Sequence, residues 1–382
     1  MENILTKNTI IRLGLVWLIV LLFMFFGNRI ETFYNHNLVA AVIFILVLIT
    51  IIVAAFGVVK EADILAHKLG EPYGTLILTL SIVSIEVILI TAMMFGPDEN
   101  PTIGKDSIFS VMMIIMNLVL GLCILVGGIK NREQEYNAQG TLTYLSMIIM
   151  LGGLSMLLPN FIEGKGNGEF SPTQAVIISG LIIVLYAVFL LFQVKTYRHL
   201  YIQPEIGKME IKFERALELI NSDHHKKPQI KSKEIILRSI VLLATILPIV
   251  LLSHNLAVLV DLGIKEMSLP PFLGGVLIAI IVFTPESMTA IKAAINNEFQ
   301  RTINLCHSAF VSTVGLTVPA VLIIGLVANK TVLFGLTPTE TILFIITLIL
   351  SMLSFSGKRT IPIVGIMHLI LFAVFLMLIF YP

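Results

Sequence analysis

The stretch Leu76-Ile77-Leu78-Thr79-Leu80-Ser81-Ile82-Val83-Ser84-Ile85-Glu86-Val87-Ile88-Leu89-Ile90 is an aliphatic run with one carboxylate in it, Glu86. A transmembrane helix needs about 20 mostly apolar residues, and this run sits inside such a window. A charged side chain at the bilayer centre costs at least about 2.5–3.5 kcal/mol on insertion scales, so a carboxylate kept there is a functional residue by default. The theme returns 200 residues later in Val282-Phe283-Thr284-Pro285-Glu286-Ser287.

The composition supports a membrane setting for both. The chain has 382 residues, of which 57% are hydrophobic and 13% charged, and its mean hydropathy is +0.97. A soluble domain is nearer half apolar and about a quarter charged. The soluble and disordered classes therefore drop out, and an all-α polytopic membrane protein remains. A net charge of +1 argues against nucleic acid as a partner. Cys123 and Cys306 lie in apolar runs and imply neither a disulfide framework nor a zinc site. Eleven apolar stretches follow one another, at 11–27, 38–59, 71–95, 107–129, 141–158, 173–194, 235–260, 270–291, 303–328, 339–355 and 360–381. Lys7 and Arg12 precede the first, and no small-residue cleavage site follows it, so it is expected to remain as a span.

Basic residues set the orientation. With the N terminus in the cytoplasm, Arg29, Lys105, Lys165, Lys265 and Lys330 fall outside and the other 20 of the 25 Lys and Arg fall inside. The long polar segment 195–234 is then a cytoplasmic linker. Within it Ile206, Met209, Phe213, Leu217 and Ile220 share one helical face, which predicts an amphipathic helix over 205–221. Asp223-His224-His225 after it reads as solvated linker. Setting aside the first span (1–37), five spans precede the linker (38–194) and five follow it (235–382). Five is odd, so the second group is upside down relative to the first. Inverted repeats are a signature of secondary transporters, whose ion sites lie near the midplane.

Glu86 and Glu286 sit in the second span of their respective groups. Glu71–Ile90 laid against Pro271–Ala290 gives two identities in 20, Gly74 with Gly274 and Glu86 with Glu286. Two ionised carboxylates match the charge of one divalent cation. Desolvated and close together they resist ionisation, so protons and a hard cation compete for the same oxygens. Thr75, Thr79 and Glu86 share one helical face, and Gly275, Ala279, Glu286 and Thr289 share another, whose small residues permit close approach. Ser84 and Thr284 precede the two carboxylates by two residues. Pro285 removes a backbone donor and frees the carbonyl near Ile281. The fourth span adds Asp106, Ser107, Ser110 and Asn117, of which Asn117 is the deepest amide. The ninth adds Asn304, His307, Ser308, Ser312, Thr313 and Thr317. His307 reads equally as a proton relay and as a satisfied buried histidine. Ser253-His254-Asn255 reads as packing, and Asp98, Glu99 and Asp106 as an acidic outer loop.

The chain resembles the cation/Ca²⁺ exchanger superfamily, and within it the bacterial ChaA-type calcium/proton antiporters. One block carrying the resemblance is Pro72-Tyr73-Gly74-Thr75 through Ser84-Ile85-Glu86-Val87, then Asp106-Ser107-Ile108-Phe109 and Met116-Asn117-Leu118-Val119-Leu120-Gly121-Leu122. The other is Thr284-Pro285-Glu286-Ser287 through Ala290-Ile291-Lys292-Ala293-Ala294, then Gly315-Leu316-Thr317-Val318-Pro319-Ala320. The resemblance implies that Glu86 and Glu286 are the acidic ligands of the two repeats. It implies too that Asn117 is the amide ligand of the first, with Ser312 in the corresponding place of the second. Many exchangers carry Gly-Asn three to four residues before each Glu. Here those places hold Ile82-Val83 and Val282-Phe283, as in the ChaA-type branch, which leaves the choice among Ca²⁺, Na⁺ and K⁺ open. The expectation is an antiporter of the bacterial inner membrane that exchanges Ca²⁺, or Na⁺ or K⁺, for H⁺, with no cofactor. The alternatives are a cation channel or a sodium/calcium exchanger not coupled to protons. A channel usually repeats pore segments around an axis. An intramembrane enzyme is disfavoured, since the chain has no HExxH and no mid-membrane Asp pair.

The orientation is testable directly. A cysteine placed within 223–227 is expected to react with impermeant thiol reagents from the cytoplasmic side only, and one placed at Lys165 from the outside only. The reverse labelling would overturn both the orientation and the inverted repeat built on it.

Overall fold

The computed structural model describes residues 6–32, 34, 37–69, 73–96, 100–163, 168–204 and 232–381. Among the described residues there is one long helix for each predicted stretch. They are α1 (Lys7–Thr32), α2 (Asn37–Leu69), α3 (Tyr73–Met94), α4 (Ile103–Asn131), α5 (Ala138–Asn160), α6 (Pro172–Thr196), α7 (Ser232–Glu266), α8 (Leu273–Ile295), α9 (Phe299–Val327), α10 (Pro338–Ser354) and α11 (Pro362–Phe380). Nine are long and apolar enough to cross a membrane, and α3 and α10 supply the shorter apolar helices Thr79–Met94 and Pro338–Ser354. The helices overrun the apolar windows where polar residues continue the hydrogen-bond ladder, as at both ends of α7. The helix predicted over 205–221 and the Asp223-His224-His225 run lie outside the described residues.

Local signals set several starts. Ser171 before Pro172 and Thr337 before Pro338 each cap their helix in a reciprocal box, with Gln174 and Glu340 reaching back to the cap N–H. Pro285 does not break α8, which runs helically through it. Proline deletes one donor, and a helix of 23 residues keeps its other bonds. Four helices carry π-helical turns among the described residues, α5 at Gly153–Leu157, α6 at its end over Phe192–Thr196, and α4 and α9 at Met113–Val119 and Thr313–Thr317. Those of α4 and α9 begin 200 residues apart, the offset that separates Glu86 from Glu286.

The chain forms two compact units, Met1–Ile103 with Pro228–Pro285, and Gly104–Lys227 with Glu286–Pro382. Each draws on both halves of the sequence, so the units cut across the sequence ranges 1–37, 38–194, 195–234 and 235–382. In the first unit α2 packs on α7 and α3, and α1 lies against α2 and α7. Trp17 of α1 donates its indole N–H to the Ala244 carbonyl (3.0 Å). Glu61 of α2, 1% exposed, accepts from Arg12 of α1 (3.5 Å) and Arg238 of α7 (3.4 Å). On α7 Ser253 is buried and returns its hydroxyl to Val250, whereas His254 is exposed and does not pack as expected. Residue 254 falls on the outward face of its helix, a direction that the apolar run around it does not reveal.

In the second unit a two-residue ribbon pairs β1 (Gln134–Glu135) with β2 (Arg359–Thr360). The Arg359 guanidinium is held above its ordinary pKa chiefly by Glu133 at 2.7 Å, with Glu135 at 2.8 Å. Asp106, expected in a solvated acidic loop, is buried at the start of α4. Lys105 lies 3.2 Å from it and also reaches both oxygens of Glu340. Here an adjacent cation makes burial of the carboxylate tolerable. Asp98 and Glu99 lie outside the described residues.

Helices α4 and α11 meet at glycine. A Cβ on Gly365 would lie 2.5 Å from the Gly121 carbonyl oxygen and 2.8 Å from the Leu125 nitrogen, both backbone atoms that cannot swing away. Small residues at such crossings let backbones approach in lipid, where packing drives association. Gly365→Ala is expected to destabilise the protein by about 1–3 kcal/mol, read as a lower unfolding temperature in detergent. Gly180→Ala, where nothing lies within 4 Å of the added carbon, is expected to leave it unchanged.

Candidate cation site

Glu86 is fully buried in α3, within the first unit. Its own helix surrounds it with Ile82, Val83, Ile85, Leu89 and Ile90, all buried. Thr79, two turns earlier, is half-buried. Ser84 donates its hydroxyl to the Leu80 carbonyl at 2.6 Å. Thr284 does the same to Ile280 at 2.5 Å in α8. A hydroxyl bonded back to its own helix spends its proton there and keeps its lone pairs for an acceptor's role, which is what a cation requires.

Glu286 belongs to the second unit and is half-buried. It opens on a cavity of about 10 Å³ walled by Ser287 and Ala290 of α8, Ile115 and Val119 of α4, and Cys306 and Ala309 of α9. That is about the room one water-sized occupant needs. Cys306, which lines it, lies close to Cys123, a residue far away in the sequence.

Asn117 stands in the π turn of α4 and is fully buried. Ile115 and Val119, two residues to either side, line the Glu286 cavity, while the Asn117 amide is turned to α10 and α11. Its Nδ2 donates to Thr347 Oγ1 at 3.0 Å, and its Oδ1 lies 3.1 Å from His368 Nδ1. Because the amide oxygen can only accept, His368 is the donor, and its Nε2 lies 3.2 Å from Ser354 Oγ. Ser312 ends the α-helical part of α9 just before its π turn and donates to Ala309 at 2.8 Å. The 200-residue offset pairs Asn117 with Thr317, fully buried in the π turn of α9.

Thr347 and His368 escaped the sequence reading. No local pattern marks them, because a lone Thr or His in an apolar helix looks like any other packed residue. Among the described residues no group of three or more His, Cys, Asp or Glu is arranged to hold a metal ion. The polar groups of these helices are carboxylates, hydroxyls and an amide, the oxygen set that suits hard cations.

A family model described as sodium/calcium exchanger protein matches residues 39–195. The sodium-potassium/proton antiporter ChaA of Escherichia coli (strain K12) is 34% identical over 337 residues, 88% of each chain. The Ca²⁺/H⁺ antiporter ChaA of Bacillus subtilis (strain 168) is 24% identical over 291 residues, 74% of this chain and 76% of that one. Among solved structures, native YfkE superposes with a TM-score of 0.72 at 19% identity, over 97% of this chain and 100% of the other, which is a likeness of fold. The eleven-helix architecture, the exchanger family match and the 34% identity along most of both chains agree, and the chain belongs to the ChaA-type branch of the cation/Ca²⁺ exchanger superfamily.

Proposed function

We propose that this integral membrane protein is a secondary active cation/proton antiporter in which Glu86 and Glu286 take up the cation and protons in alternation. One observation carries the reading. A carboxylate lies deep in each of two apolar helices 200 residues apart, and the helix after each is opened by a π turn at the same offset. Keeping one acid in lipid is costly, and keeping two at matching places of a repeated unit is a cost met only for function. Thr79, Ser84, Thr284 and Ser312 serve as hydroxyl ligands or carriers of the site, and Asn117 as the amide of the first repeat. The protein resides in the bacterial inner membrane with its N terminus in the cytoplasm, the orientation that the basic residues favour.

The transported cation is Ca²⁺, with Na⁺ and K⁺ as the competing candidates. The E. coli relative is named for sodium and potassium and the B. subtilis relative for calcium, so resemblance alone does not choose. Inverted vesicles with an imposed inside-acid gradient test this, with Ca²⁺, Na⁺ and K⁺ added one at a time. Dequenching by Ca²⁺ is expected, and a gradient that no cation dissipates would end the antiport reading.

Glu86→Gln and Glu286→Gln are each expected to reduce exchange to the background of empty vesicles while the protein still reaches the membrane. Glutamine keeps the volume and one ligand oxygen but loses charge and titration. Near-normal exchange by either variant would remove that carboxylate from the site.

The apparent cation affinity is expected to fall as pH is lowered from about 9 to about 6, because protonation removes the charge the cation binds. The midpoint is a macroscopic value of the exchange reaction and is not assigned to either residue alone. Surface charge could imitate this, but only at low salt, since screening suppresses it. The affinity is therefore to be measured at low and high concentrations of a non-transported salt, and a flat profile would mean that protons do not share the site.

A further inference from the structure

His307 lies in α9, on the turn that lines the Glu286 cavity through Cys306 and Ala309. It is fully buried. Its Nδ1 is 3.0 Å from the Ile303 carbonyl oxygen. A carbonyl only accepts, so Nδ1 carries the hydrogen and the ring's lone pair sits on Nε2. Nε2 is buried and has no hydrogen-bond partner among the described residues. The ring is flanked by Tyr144 at 6.0 Å, tilted 32°, and by Phe355 at 5.5 Å, edge-on at 79°. As a packing residue His307 is poorly chosen, because a phenylalanine would fill the same aromatic slot without an idle buried acceptor. As a proton acceptor it is well furnished. The tautomer is fixed, the lone pair is vacant, and aromatic rings within about 6 Å offset part of what burial costs the cation that forms.

We propose that His307 is a proton-binding group of the exchange cycle, separate from Glu86 and Glu286. A proton adds to the Nε2 lone pair, giving imidazolium with Nδ1–H still on Ile303. The positive charge then stands on the same helical turn as the cavity wall, where weak screening carries its effect to the Glu286 site. It disfavours a second cation there, so protonating His307 works in the same direction as protonating the carboxylates. The inference rests on proton-coupled exchange as proposed above.

Other titratable groups occupy the elements packed on α9. Tyr144 of α5 touches the ring, and His368 of α11 lies within electrostatic range. Elsewhere on those elements are Cys123 and Lys130 of α4, Tyr186 and Lys195 of α6, Glu135 of β1, and Arg198, His199 and Tyr201 of the short helix after α6. The segments leading into and facing α9 also hold Glu286, Lys292, Glu298 and Glu340. The test must therefore follow His307 itself.

His307→Asn keeps a donor for Ile303 and removes Nε2, and His307→Phe keeps an aromatic ring and removes both nitrogens. Cation affinity is to be measured for the parent and both variants between about pH 6 and about pH 9, alongside ¹⁵N-histidine spectra of the labelled protein. At about pH 6 the variants are expected to bind the cation about threefold more tightly than the parent, and at about pH 9 equally. The histidine resonance that vanishes in the variants is expected to show Nε2 protonation as pH falls. Variants that follow the parental curve throughout, with that resonance neutral at every pH, would overturn the role of His307 while leaving antiport intact. A parent without any proton-coupled exchange would instead sink the antiport reading, and the spectrum would still report on His307.

Discussion

Lipid offers no hydrogen-bond partner, and that single constraint shapes most of what this protein does with its polar atoms. The backbone answers by being helical across every apolar stretch. Short hydroxyl side chains answer locally by bonding the carbonyl one turn back, as Thr50, Ser81, Ser84, Ser110 and Thr284 all do. Larger polar groups need partners from other helices. Lys105 finds Asp106 and Glu340, and Asn117 finds Thr347 and His368. The carboxylates Glu86 and Glu286 stand apart for the cost of keeping an acid in lipid, and the imidazole of His307 for an Nε2 with no hydrogen-bond partner among the described residues. An exchanger that must bind and release protons has a use for groups of this kind.

The same constraint bears on the π turns of α4 and α9. A π turn inserts one residue into the ladder, loosens the hydrogen bonding locally and re-aims side chains, and such turns gather at functional sites. In α4 it sends Ile115 and Val119 to the wall beside Glu286 and Asn117 to the opposite side, so one short segment serves an apolar cavity and a polar network together. Its counterpart in α9 holds Thr317 at the matching offset. Glycine does the complementary work at the α4–α11 crossing, where Gly121 and Gly365 leave no room for a Cβ and the polar network next to it is held tight.

The two compact units make sense of a division that the linear order conceals. The sequence suggests a first half and a second half around a linker. In the fold, α2 and α3 belong with α7, and α4 to α6 belong with α9 to α11, so each unit gathers corresponding members of both halves. Helices from the two halves of the chain bury their apolar faces against each other within each unit.

The sequence by itself determined one long helix per apolar stretch, most of their bounds to within about six residues though α2 runs ten past its window, and the two membrane carboxylates. Hydropathy acts over one helix length and needs no partner to be read, and an acid in an apolar run is conspicuous without any structure. It also carried the family, because the blocks around Glu86 and Glu286 are contiguous. Only the tertiary structure decided that the Asn117 amide is bonded to residues 230 and 251 positions away, that Cys123 and Cys306 are neighbours, that Asp106 is buried beside Lys105, and that His307 keeps a vacant Nε2 between two aromatic rings. Each of these depends on what a distant helix brings to the contact. In a bundle where nearly every position is apolar, the pairing of faces leaves no periodic trace in the chain.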